Sequence, residues 1–522
     1  MSTTHPGSAE ALSTTLLGLD AHLIHVRATV EGSTSFQILG LPELHARETR
    51  IRVRSALQQV GVDVQGTNIT IRLSPEELPR SGALDLPIAV AVLGALGRVS
   101  LEALKNTVVL GELALTGAAH PVRGVLPALH GAVTQGMTAA IVPKQNAREA
   151  ASVYGMRTLV VEHLDDLVRH LGAGVPLECA GEVPPFQPSS STVDMADIRG
   201  MHAARRALEI AAAGGHNLLL IGPPGAGKTV LARRLAGILP PLTQDEAFEV
   251  TAIHSVAGLL PPEVGIIGTR PFRAPHHTVS AVGLVGGGDP VRPGEVSLAH
   301  HGVLFLDELL EFRGDVLEAL QQPFTEGRVT ICRARQRVTF PARTLFVGAM
   351  NPCPCGYRGD HSGRCTCSPE RVKSYVARPR SSLFDRFDMR IFLQPVDVAE
   401  QMGEKRGEPS NDVQKRVVAA RALQADRQGR GHEVRTNAQL TPKALVRFAT
   451  LGSTGARLMA EAATNLRLST PDVNRVLRVA RTIADLGGSN AVRGFHVAEA
   501  LCGVGLPSSV AAEAGAELNI AE

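Results

Sequence analysis

The chain has 522 residues, a length that predicts roughly three domains rather than one hydrophobic core. Hydrophobic residues make up 44% and charged residues 20%, which excludes a disordered chain, and the low aromatic content (3%, with no Trp) argues against a surface built for stacking on unpaired bases or sugars. The net charge is +3, but residues 371–493 carry 22 Lys and Arg against 12 Asp and Glu. This basic region indicates a polyanionic partner or, as the alternative, a solvated Arg-rich helical surface.

We expect a cytoplasmic protein without a membrane segment. The best candidate span, LDLPIAVAVLGALG, is shorter than the roughly 18 apolar residues required and contains Asp85. The N-terminus has no basic segment ahead of an apolar run, so no signal peptide is predicted. Of the 7 Cys, four lie within CPCGYRGDHSGRCTC, which does not fit a secreted disulfide framework. The other three, Cys179, Cys332 and Cys502, are predicted to be isolated buried thiols.

The first part of the chain predicts a mixed α/β domain. Between Leu16 and Leu171, short apolar runs such as NITIRLS and TLVVE alternate with helical segments such as ETRIRVRSALQQVG. GEVPPFQPSSSTVD is then rich in Pro and Ser and has the composition of a linker. We therefore place the first domain at residues 1–180 and the linker at 181–194.

A phosphate-binding loop follows the linker. GPPGAGKT (222–229) satisfies G-x-x-x-x-G-K-[ST] between the predicted strand NLLLIG and the helical VLARRLAGIL, a context that disfavours a Gly-rich turn without a ligand. Lys228 is suited to the β- and γ-phosphates of ATP, and the Thr229 hydroxyl to Mg²⁺. The predicted nucleotide-binding residues are Gly222, Pro223, Pro224, Gly225, Ala226, Gly227, Lys228, Thr229 and Asp307.

Two later apolar runs end in polar residues suited to ATP hydrolysis. GVLFLDE ends in Asp307, interpreted as a second Mg²⁺ ligand, and in Glu308, interpreted as the residue that activates the attacking water. TLFVGAM is followed by Asn351, whose amide can contact the γ-phosphate or the water. Lys228, Glu308 and Asn351 are therefore predicted to be catalytic.

Several segments together are similar to one family. They are RPFRAPHHT (270–278), PGEVSLAHHGVLFLDELLEF (293–312), NPCPCG (351–356), FDRFD (384–388) and RVLRVARTIADL (475–486). This combination resembles the magnesium-chelatase-like AAA+ ATPases of the ComM/YifB type over nearly the whole chain. The resemblance implies an α/β protein with three parts: a Lon-protease-like N-terminal domain, an AAA+ P-loop core at residues 195–396 with a Cys-rich insert at 352–368, and a C-terminal helical lid at 397–522. The sequence from about Asp397 onward is itself helical in pattern.

The resemblance further implies a homo-oligomeric ring, a hexamer, in which Arg386 of FDRFD acts on the ATP of a neighbouring subunit. A salt bridge from Arg386 to a flanking Asp is the alternative. The lid should also supply an arginine to the ATP site. Pro471 occupies the position where family members carry it, so Arg475, one turn later, is assigned this catalytic role, with Arg478 as the alternative.

The segment GRVTICRARQRVTFPAR predicts a β-hairpin with a basic centre. The resemblance implies that it projects into the channel of the ring, where Arg333, Arg335 and Arg337 contact DNA phosphates without reading sequence. An ordinary solvent-facing hairpin is the alternative.

Two further groups of residues suggest metal chemistry. Cys353, Cys355, Cys365 and Cys367 form a C-x-C…C-x-C pattern that predicts a structural Zn²⁺ site, although this spacing is tighter than usual, and a reduced loop without metal is the alternative. His276 and His277, as neighbours on a strand, would point to opposite faces and so would not share one ion. A position near the nucleotide or the channel loop is favoured for both.

The resemblance implies an ATP-driven DNA helicase or branch-migration translocase, acting with recombination proteins on single-stranded or branched DNA during natural transformation. A magnesium-chelatase subunit and an ATP-dependent protease are the alternatives. Peptidase activity is not expected because RSGALDLP, which contains Ser81, lacks a Gly-flanked serine motif. The only lysines before residue 175 are Lys105 and Lys144.

Overall fold

The computed structural model describes residues 7–31, 35–76, 78, 82–182, 186–189, 193–333, 336–359, 363–376, 381–394, 406–428 and 436–504. Ser81 and Arg335, which the sequence singled out, lie outside these residues. No helix in the described ranges combines the length and apolarity needed to cross a bilayer.

The described residues up to Cys179 form the first set of strands and helices. The strands are β1 (Ser8–Leu17), β2 (Asp20–Glu31), β3 (Phe36–Leu39), β4 (Asn68–Ser74), β5 (Thr107–Val109), β6 (Glu112–Leu113), β7 (Ala119–His120), β8 (Ala139–Pro143), β9 (Arg157–Val161) and β10 (Glu178–Cys179). The helices are α1 (Glu43–Gln59), α2 (Asp85–Ala95), α3 (Val125–Thr134), α4 (Ala147–Ala151) and α5 (Leu164–Ala173).

Most of these strands form one mixed sheet in the order β10-β9-β8-β5-β1-β2-β4-β3. Strand β1 is antiparallel to β2 and parallel to β5, and it therefore joins the two halves of the sheet. The sequence pattern does not predict β1, because buried Ser13, Thr14 and Thr15 interrupt its apolar alternation. The Lon-protease-like assignment of this domain stays a prediction.

Helix α2 explains the apolar run that resembled a short membrane segment. It is buried on all sides within the N-terminal core, which is typical of a central helix. The buried Asp85 carboxylate at its start accepts a hydrogen bond from Arg52 Nε at 2.6 Å and from the Leu113 N–H at 3.1 Å. This pairing is what allows a charged residue to lie in the core.

The second set of elements surrounds the predicted P-loop. The strands are β11 (Leu218–Ile221), β12 (Phe272–Arg273), β13 (Gly286–Gly287), β14 (Arg292–Pro293), β15 (Val303–Leu306), β16 (Arg328–Arg333), β17 (Gln336–Pro341), β18 (Leu345–Met350) and β19 (Met389–Phe392). The helices are α6 (His202–Gly214), α7 (Lys228–Ile238), α8 (Gln244–Ala257), α9 (Ala281–Val285), α10 (Glu295–Leu298), α11 (Gly314–Ala319), α12 (Gln321–Glu326), α13 (Pro369–Val376) and α14 (Ser381–Phe384).

A parallel sheet in the order β12-β15-β18-β11-β19 forms the centre of this region. Strands β11, β15 and β18 are buried along their whole length, as expected for a parallel sheet covered on both faces. The carboxyl ends of these three strands lie at one edge. Their side-by-side order therefore brings the P-loop, Asp307 and Asn351 together.

The last set is helical, and the sequence prediction of a helical C-terminal region is confirmed for the described residues from 406 onward. Its helices are α15 (Ser410–Gln428), α16 (Pro442–Phe448), α17 (Ser453–Asn465), α18 (Thr470–Leu486) and α19 (Gly494–Val504). Ser469 and Asp472 form a capping box that begins α18. Val476 and Val479 of this helix share a core with Leu218 and Leu220 of β11. The overall α/β class is confirmed, whereas the domain boundaries stay predictions.

The N-terminal domain packs directly on helix α8 of the ATPase region. Ala252 of α8 is buried in a cluster with residues of α3, including Val125 and Leu126. The Ser255 hydroxyl donates to the Glu149 carboxylate, which also accepts the Leu126 N–H at 2.8 Å. Burial raises the pKa of Glu149. The two domains are therefore joined by a buried polar contact as well as by apolar packing.

Candidate functional site

The P-loop connects β11 to the N-terminus of α7. Gly225 and Gly227 have φ values of +80° and +79°, a left-handed conformation that glycine adopts without strain. At Gly222 space is the constraint, because a Cβ there would lie 2.9 Å from Leu393 Cβ. The loop therefore presents its backbone at a helix N-terminus, the arrangement that binds phosphates.

Lys228 points back across this loop. Its Nζ donates hydrogen bonds to the Gly222 carbonyl at 2.7 Å, the Pro223 carbonyl at 3.0 Å and Asn351 Oδ1 at 3.0 Å. Burial lowers the pKa of Lys228, and the nearby Asp307 and Glu308 carboxylates oppose this effect. The ammonium group therefore lies at the meeting point of the P-loop and two neighbouring strands.

Thr229 and Asp307 form an oxygen pair at the same edge of the sheet. The Thr229 hydroxyl donates to Asp307 Oδ2 at 2.9 Å, and Asp307 Oδ1 accepts the Glu308 N–H at 3.0 Å. A hydroxyl and a carboxylate are the donors that Mg²⁺ takes from a protein when phosphates and water supply the rest. These residues therefore fit the ion that the sequence predicts.

Glu308 follows Asp307 at the start of a turn. Its φ of 52° is uncommon for a residue other than glycine, and its side chain is 56% exposed. The His277 Nδ1 atom lies 3.3 Å from Glu308 Oε2. Sequence reasoning missed this pair because two short helices and three strands, α9, β13, β14, α10 and β15, lie between the two residues in the chain.

The expectation that His276 and His277 point to opposite faces is wrong. Strand β12 ends at Arg273, so the two histidines lie in the following turn rather than in a strand. Their ring centroids are 4.1 Å apart, and His276 Nδ1 contacts the Thr278 hydroxyl at 2.9 Å. The position of His277 beside Glu308 matches the sequence interpretation.

Arg386 lies exposed in the turn after α14. The flanking Asp385 is 3.8 Å from Arg390, and Asp388 accepts the Asn217 N–H at 3.0 Å. Neither aspartate forms an ion pair with Arg386 in the described part of the chain. The Arg386 guanidinium is therefore directed to the protein surface.

The two candidate lid arginines occupy different surroundings. Arg475 is buried and donates to Asp472 Oδ1 at 3.2 Å and to the Asp385 carbonyl at 2.9 Å, next to Arg386. Arg478 donates to the Leu440 carbonyl at 3.0 Å. Arg475 thus belongs to the same contact network as the FDRFD turn, and its catalytic role stays a prediction.

The predicted hairpin is present as β16 paired with β17. Residues opposite each other share a face, so Arg337, opposite Cys332, lies on the solvent face. Arg333 lies on the face that contains buried Val329, but near the tip, where it is exposed. The two described arginines therefore point to opposite sides of the tip.

The middle of the hairpin, where Ile331 pairs with Val338, is contacted by two neighbours. A Cβ at Gly286 of β13 would lie 3.2 Å from Ile331 Cδ1, and a Cβ at Gly18, in the β1–β2 turn, would lie 2.9 Å from Val338 Cγ1. The N-terminal domain thus touches the hairpin directly. This leaves the tip as the part that can reach a ligand.

The four clustered cysteines come together beside the ATP site. Cys353 Sγ lies 3.3 Å from Cys355 Sγ and 3.8 Å from Cys365 Sγ, and the ligand atoms of all four, including Cys367, lie within 4.8 Å of one another. Sulfurs at the corners of a zinc tetrahedron with bonds of about 2.3 Å would be about 3.8 Å apart. The donor set and its spacing therefore fit Zn²⁺.

The prediction that the remaining cysteines are buried is wrong, since Cys179, Cys332 and Cys502 are all exposed. Cys179 ends β10 at the edge of its sheet, Cys332 lies on the solvent face of the hairpin, and Cys502 lies in the last turns of α19. Each lies at or near the end of its helix or strand, where a side chain can remain exposed.

A second cluster, which the sequence did not single out, joins Glu249 to His300 and His301. Glu249 Oε2 lies 2.8 Å from His300 Nε2 and 2.9 Å from His301 Nε2. The Arg343 N–H donates to His300 Nδ1 at 2.9 Å, so Nε2 carries the proton and is occupied by Glu249. Burial lowers the pKa of His300 to about 4. This cluster is therefore a hydrogen-bonded support rather than a metal site.

Comparison with known proteins gives a consistent result along the chain. Residues 24–146 match a family described as subunit ChlI of Mg-chelatase, residues 194–401 match magnesium chelatase, subunit ChlI, and residues 407–502 match the C-terminal part of that subunit. Competence protein ComM of Haemophilus influenzae is 41% identical, covering 93% of this chain and 95% of its own length. The proteins named YifB of Salmonella typhimurium and of Escherichia coli are each 40% identical, covering 93% of this chain and 94% of their own length.

Proposed function

The chain belongs to the magnesium-chelatase-like AAA+ family of the ComM/YifB type, and we propose that it is an ATP-driven motor that moves on DNA as a helicase or branch-migration translocase. Family membership implies an ATPase. The observation that carries the DNA part of the proposal is the place of the hairpin in the chain. It lies between β15, which is followed by Asp307 and Glu308, and β18, which is followed by Asn351, with α11 and α12 ahead of it. In this proposal, ATP hydrolysis beside Asp307 and Asn351 moves the hairpin tip through the segments that join the hairpin to β15 and β18.

The residues of the site divide the work of ATP hydrolysis. Bound Mg²⁺ supplies positive charge to the phosphates, and Thr229 and Asp307 hold it. Lys228 and the P-loop backbone bind the phosphates. Glu308 accepts the proton of the attacking water, and Asn351 orients the water or the γ-phosphate.

Arg386 completes the site of a neighbouring subunit in this proposal. Its guanidinium is exposed and not neutralised by the flanking aspartates, which suits an arginine that acts across an interface. A ring of identical subunits, such as a hexamer, uses one repeated head-to-tail contact and places each Arg386 at the next ATP site. Arg475, held against the same turn, is proposed to act at this interface as well.

DNA is bound through its phosphates in this proposal. Arg333 and Arg337 flank the hairpin tip on opposite sides, so the tip offers positive charge over a wide angle to a strand in the channel. Arg335 belongs to the same proposed contact. A motor that must pass any sequence needs such backbone contacts rather than base recognition.

The name of the relative Competence protein ComM supports a role for this motor in natural transformation. We propose that it works in the cytoplasm with recombination proteins during integration of incoming DNA. The second candidate is a magnesium-chelatase-type subunit, which the descriptions of the matching family models favour. An ATPase that is indifferent to DNA would fit that candidate better.

The cysteine cluster is proposed to hold a structural Zn²⁺. Its four sulfurs lie at distances that suit one tetrahedral ion. The cluster begins two residues after Asn351, and a Cβ at Gly356 would lie 2.7 Å from Pro224 Cδ in the P-loop. Zinc would thus fix the loop that forms one wall of the ATP site.

The DNA proposal is tested with the double variant Arg333→Ala/Arg337→Ala. We expect it to bind single-stranded DNA at least about 10-fold more weakly than the wild type, with a shallower dependence on salt. The matched control is Arg47→Ala/Arg148→Ala, which removes two exposed charges from the N-terminal domain. Equal DNA affinity of both variants would contradict the hairpin assignment.

A further inference from the structure

The turn between β1 and β2 brings the N-terminal domain against the hairpin of the ATPase region. Gly18, the first residue of this turn, has a φ of +71°. A Cβ at this position would lie 2.9 Å from Val338 Cγ1, 3.4 Å from the Thr339 carbonyl oxygen and 3.9 Å from Phe340 Cε1. The turn therefore touches three consecutive residues of β17, and a larger residue would fit only if the hairpin or the turn moved.

Both sides of this contact are firmly held. The turn is short, because β1 ends at Leu17 and β2 begins at Asp20, and the two strands pair along the whole of β1. A short turn that closes a long antiparallel pair has little conformational freedom. On the hairpin side, Val338 and Phe340 are buried. The turn thus lies in a fixed position against an apolar surface of the hairpin.

The same end of β1 is also anchored to helix α8. A Cβ at Gly124, at the start of α3, would overlap Leu16 Cδ1 of β1 and lie 3.3 Å from Val256 Cγ2 of α8. Leu16 is only two residues away from Gly18. The end of β1 is therefore placed between α8 and the hairpin. If the hairpin moves relative to α8, it must either break the contact at Gly18 or displace the N-terminal domain.

We propose that the N-terminal domain restrains the hairpin through the β1–β2 turn and thereby keeps ATP hydrolysis slow until DNA displaces the hairpin. This restraint rests on the proposed function of the hairpin as the element that contacts DNA and moves with hydrolysis. Apolar burial against the turn favours the docked position, whereas phosphate contacts of Arg333 and Arg337 favour the position that DNA requires. DNA then changes the populations of two hairpin positions.

The variant Gly18→Asn tests the restraint in the full chain. Asparagine adopts a left-handed φ more readily than most residues, while its Cβ would force Val338 away. Without DNA, kcat for ATP hydrolysis should rise about 3- to 10-fold, and single-stranded DNA should stimulate the variant less than the wild type. The matched control is Gly66→Asn, at a φ of +82° in the same domain, where an added Cβ would meet nothing within 4 Å. It should keep the wild-type rate and response to DNA.

A second variant removes the contact from the hairpin side. Val338→Ala leaves the turn unchanged and should also raise the rate without DNA. Hydrogen exchange in the peptide that contains Leu17–Asp20 reports undocking directly. It should be faster in Gly18→Asn than in the wild type, and bound single-stranded DNA should accelerate it in the wild type. Thermal unfolding checks that each variant keeps its fold.

The outcomes separate this inference from the proposed DNA motor. A rate without DNA at or below the wild-type level in both Gly18→Asn and Val338→Ala would overturn the restraint. Exchange in the turn that bound DNA leaves unchanged would also overturn it. A wild type that neither binds DNA nor responds to it would instead refute the motor, and a raised rate in Gly18→Asn would then still support the restraint.

Discussion

Lys228 Nζ and Asn351 Oδ1 lie 3.0 Å apart, which joins the P-loop to the end of β18. The contact depends on the sheet order, because β18 is the immediate neighbour of β11. The same stretch of chain continues into the cysteine cluster and packs on Pro224 through Gly356. One short segment, residues 351–356, therefore connects the phosphate site, the proposed sensor amide and the proposed zinc site.

Replacement of Asn351 by Ala should impair hydrolysis more than binding. Lys228 keeps its contacts with the Gly222 and Pro223 carbonyls, so the Kd for ATP should change less than about threefold, whereas kcat should fall about 10- to 100-fold. Asn351→Asp adds a further negative charge beside Lys228, near those of Asp307 and Glu308, and should weaken ATP binding as well. Calorimetric binding and steady-state kinetics would separate the two effects. If Asn351→Ala and Asn351→Asp lost ATP affinity equally, the assignment of Asn351 to hydrolysis rather than binding would be contradicted.

Arg386 should act on the neighbouring subunit. Arg386→Ala alone is expected to lower ATP hydrolysis by at least about 100-fold. In an equal mixture with Glu308→Gln, about a quarter of the interfaces would combine an intact Glu308 with an intact Arg386, and activity should reappear. The control is a mixture of Arg386→Ala with Arg386→Ala/Glu308→Gln, which contains no complete site. Absence of recovery in the first mixture would rule out action across the interface.

The cysteine cluster should contain about one zinc ion per chain in protein purified without chelators. Cys353→Ser/Cys365→Ser removes two of the four sulfurs and should lose the metal and weaken ATP binding through the loss of support for Pro224. Cys179→Ser/Cys502→Ser is the matched control, because it replaces two exposed thiols outside the cluster. Elemental analysis measures the zinc content of the wild type and of both variants. Metal-free wild-type protein, or equal zinc in both variants, would contradict the assignment.

His216 should make the folded protein sensitive to acid. It is fully buried between α6 and α18, with Nε2 2.8 Å from the Thr482 hydroxyl, and burial lowers its pKa to about 3. The unfolded chain takes up this proton near its ordinary pKa of 6.5, so the free energy of unfolding falls as the pH drops below that value. Asp388, whose pKa burial raises to about 6, protonates in the folded state over the same range and opposes the effect.

The variant His216→Gln keeps a hydrogen-bond donor near the place of Nε2 but cannot take up a proton. Between about pH 6.5 and pH 4.5 it should lose roughly 1–3 kcal/mol less unfolding free energy than the wild type, since one pKa unit corresponds to about 1.4 kcal/mol. Denaturant unfolding over this pH range measures the difference. If the unfolding free energies of the wild type and His216→Gln changed equally with pH, the assigned role of His216 would be contradicted.

The sequence predicts the ATP site well because its parts are local. Gly222 to Thr229 form one contiguous motif, and Asp307 and Asn351 each follow directly after an apolar strand. The sequence also predicts the hairpin, because apolar and polar residues alternate along its two strands and the strands are adjacent in the chain. In such cases the neighbours in sequence are also the neighbours in space.

Contacts between distant segments are what the sequence does not reveal. His277 and Glu308 meet because β12 is the neighbour of β15 in the sheet, and His300 meets Glu249 because α8 packs beside the turn before β15. The sequence pattern also fails to predict strand β1. Its buried Ser and Thr residues are tolerated in the centre of a sheet but do not produce an apolar pattern.

The most direct test of the account is ATP hydrolysis by the purified protein without DNA, with single-stranded DNA and with a branched junction, scored together with displacement of the branch. Lys228→Ala and Glu308→Gln serve as inactive controls. The account predicts hydrolysis that rises when DNA is present and branch movement by the wild type alone. Hydrolysis that is indifferent to every DNA, with no DNA binding at low salt, would contradict the motor and favour a chelatase-type subunit.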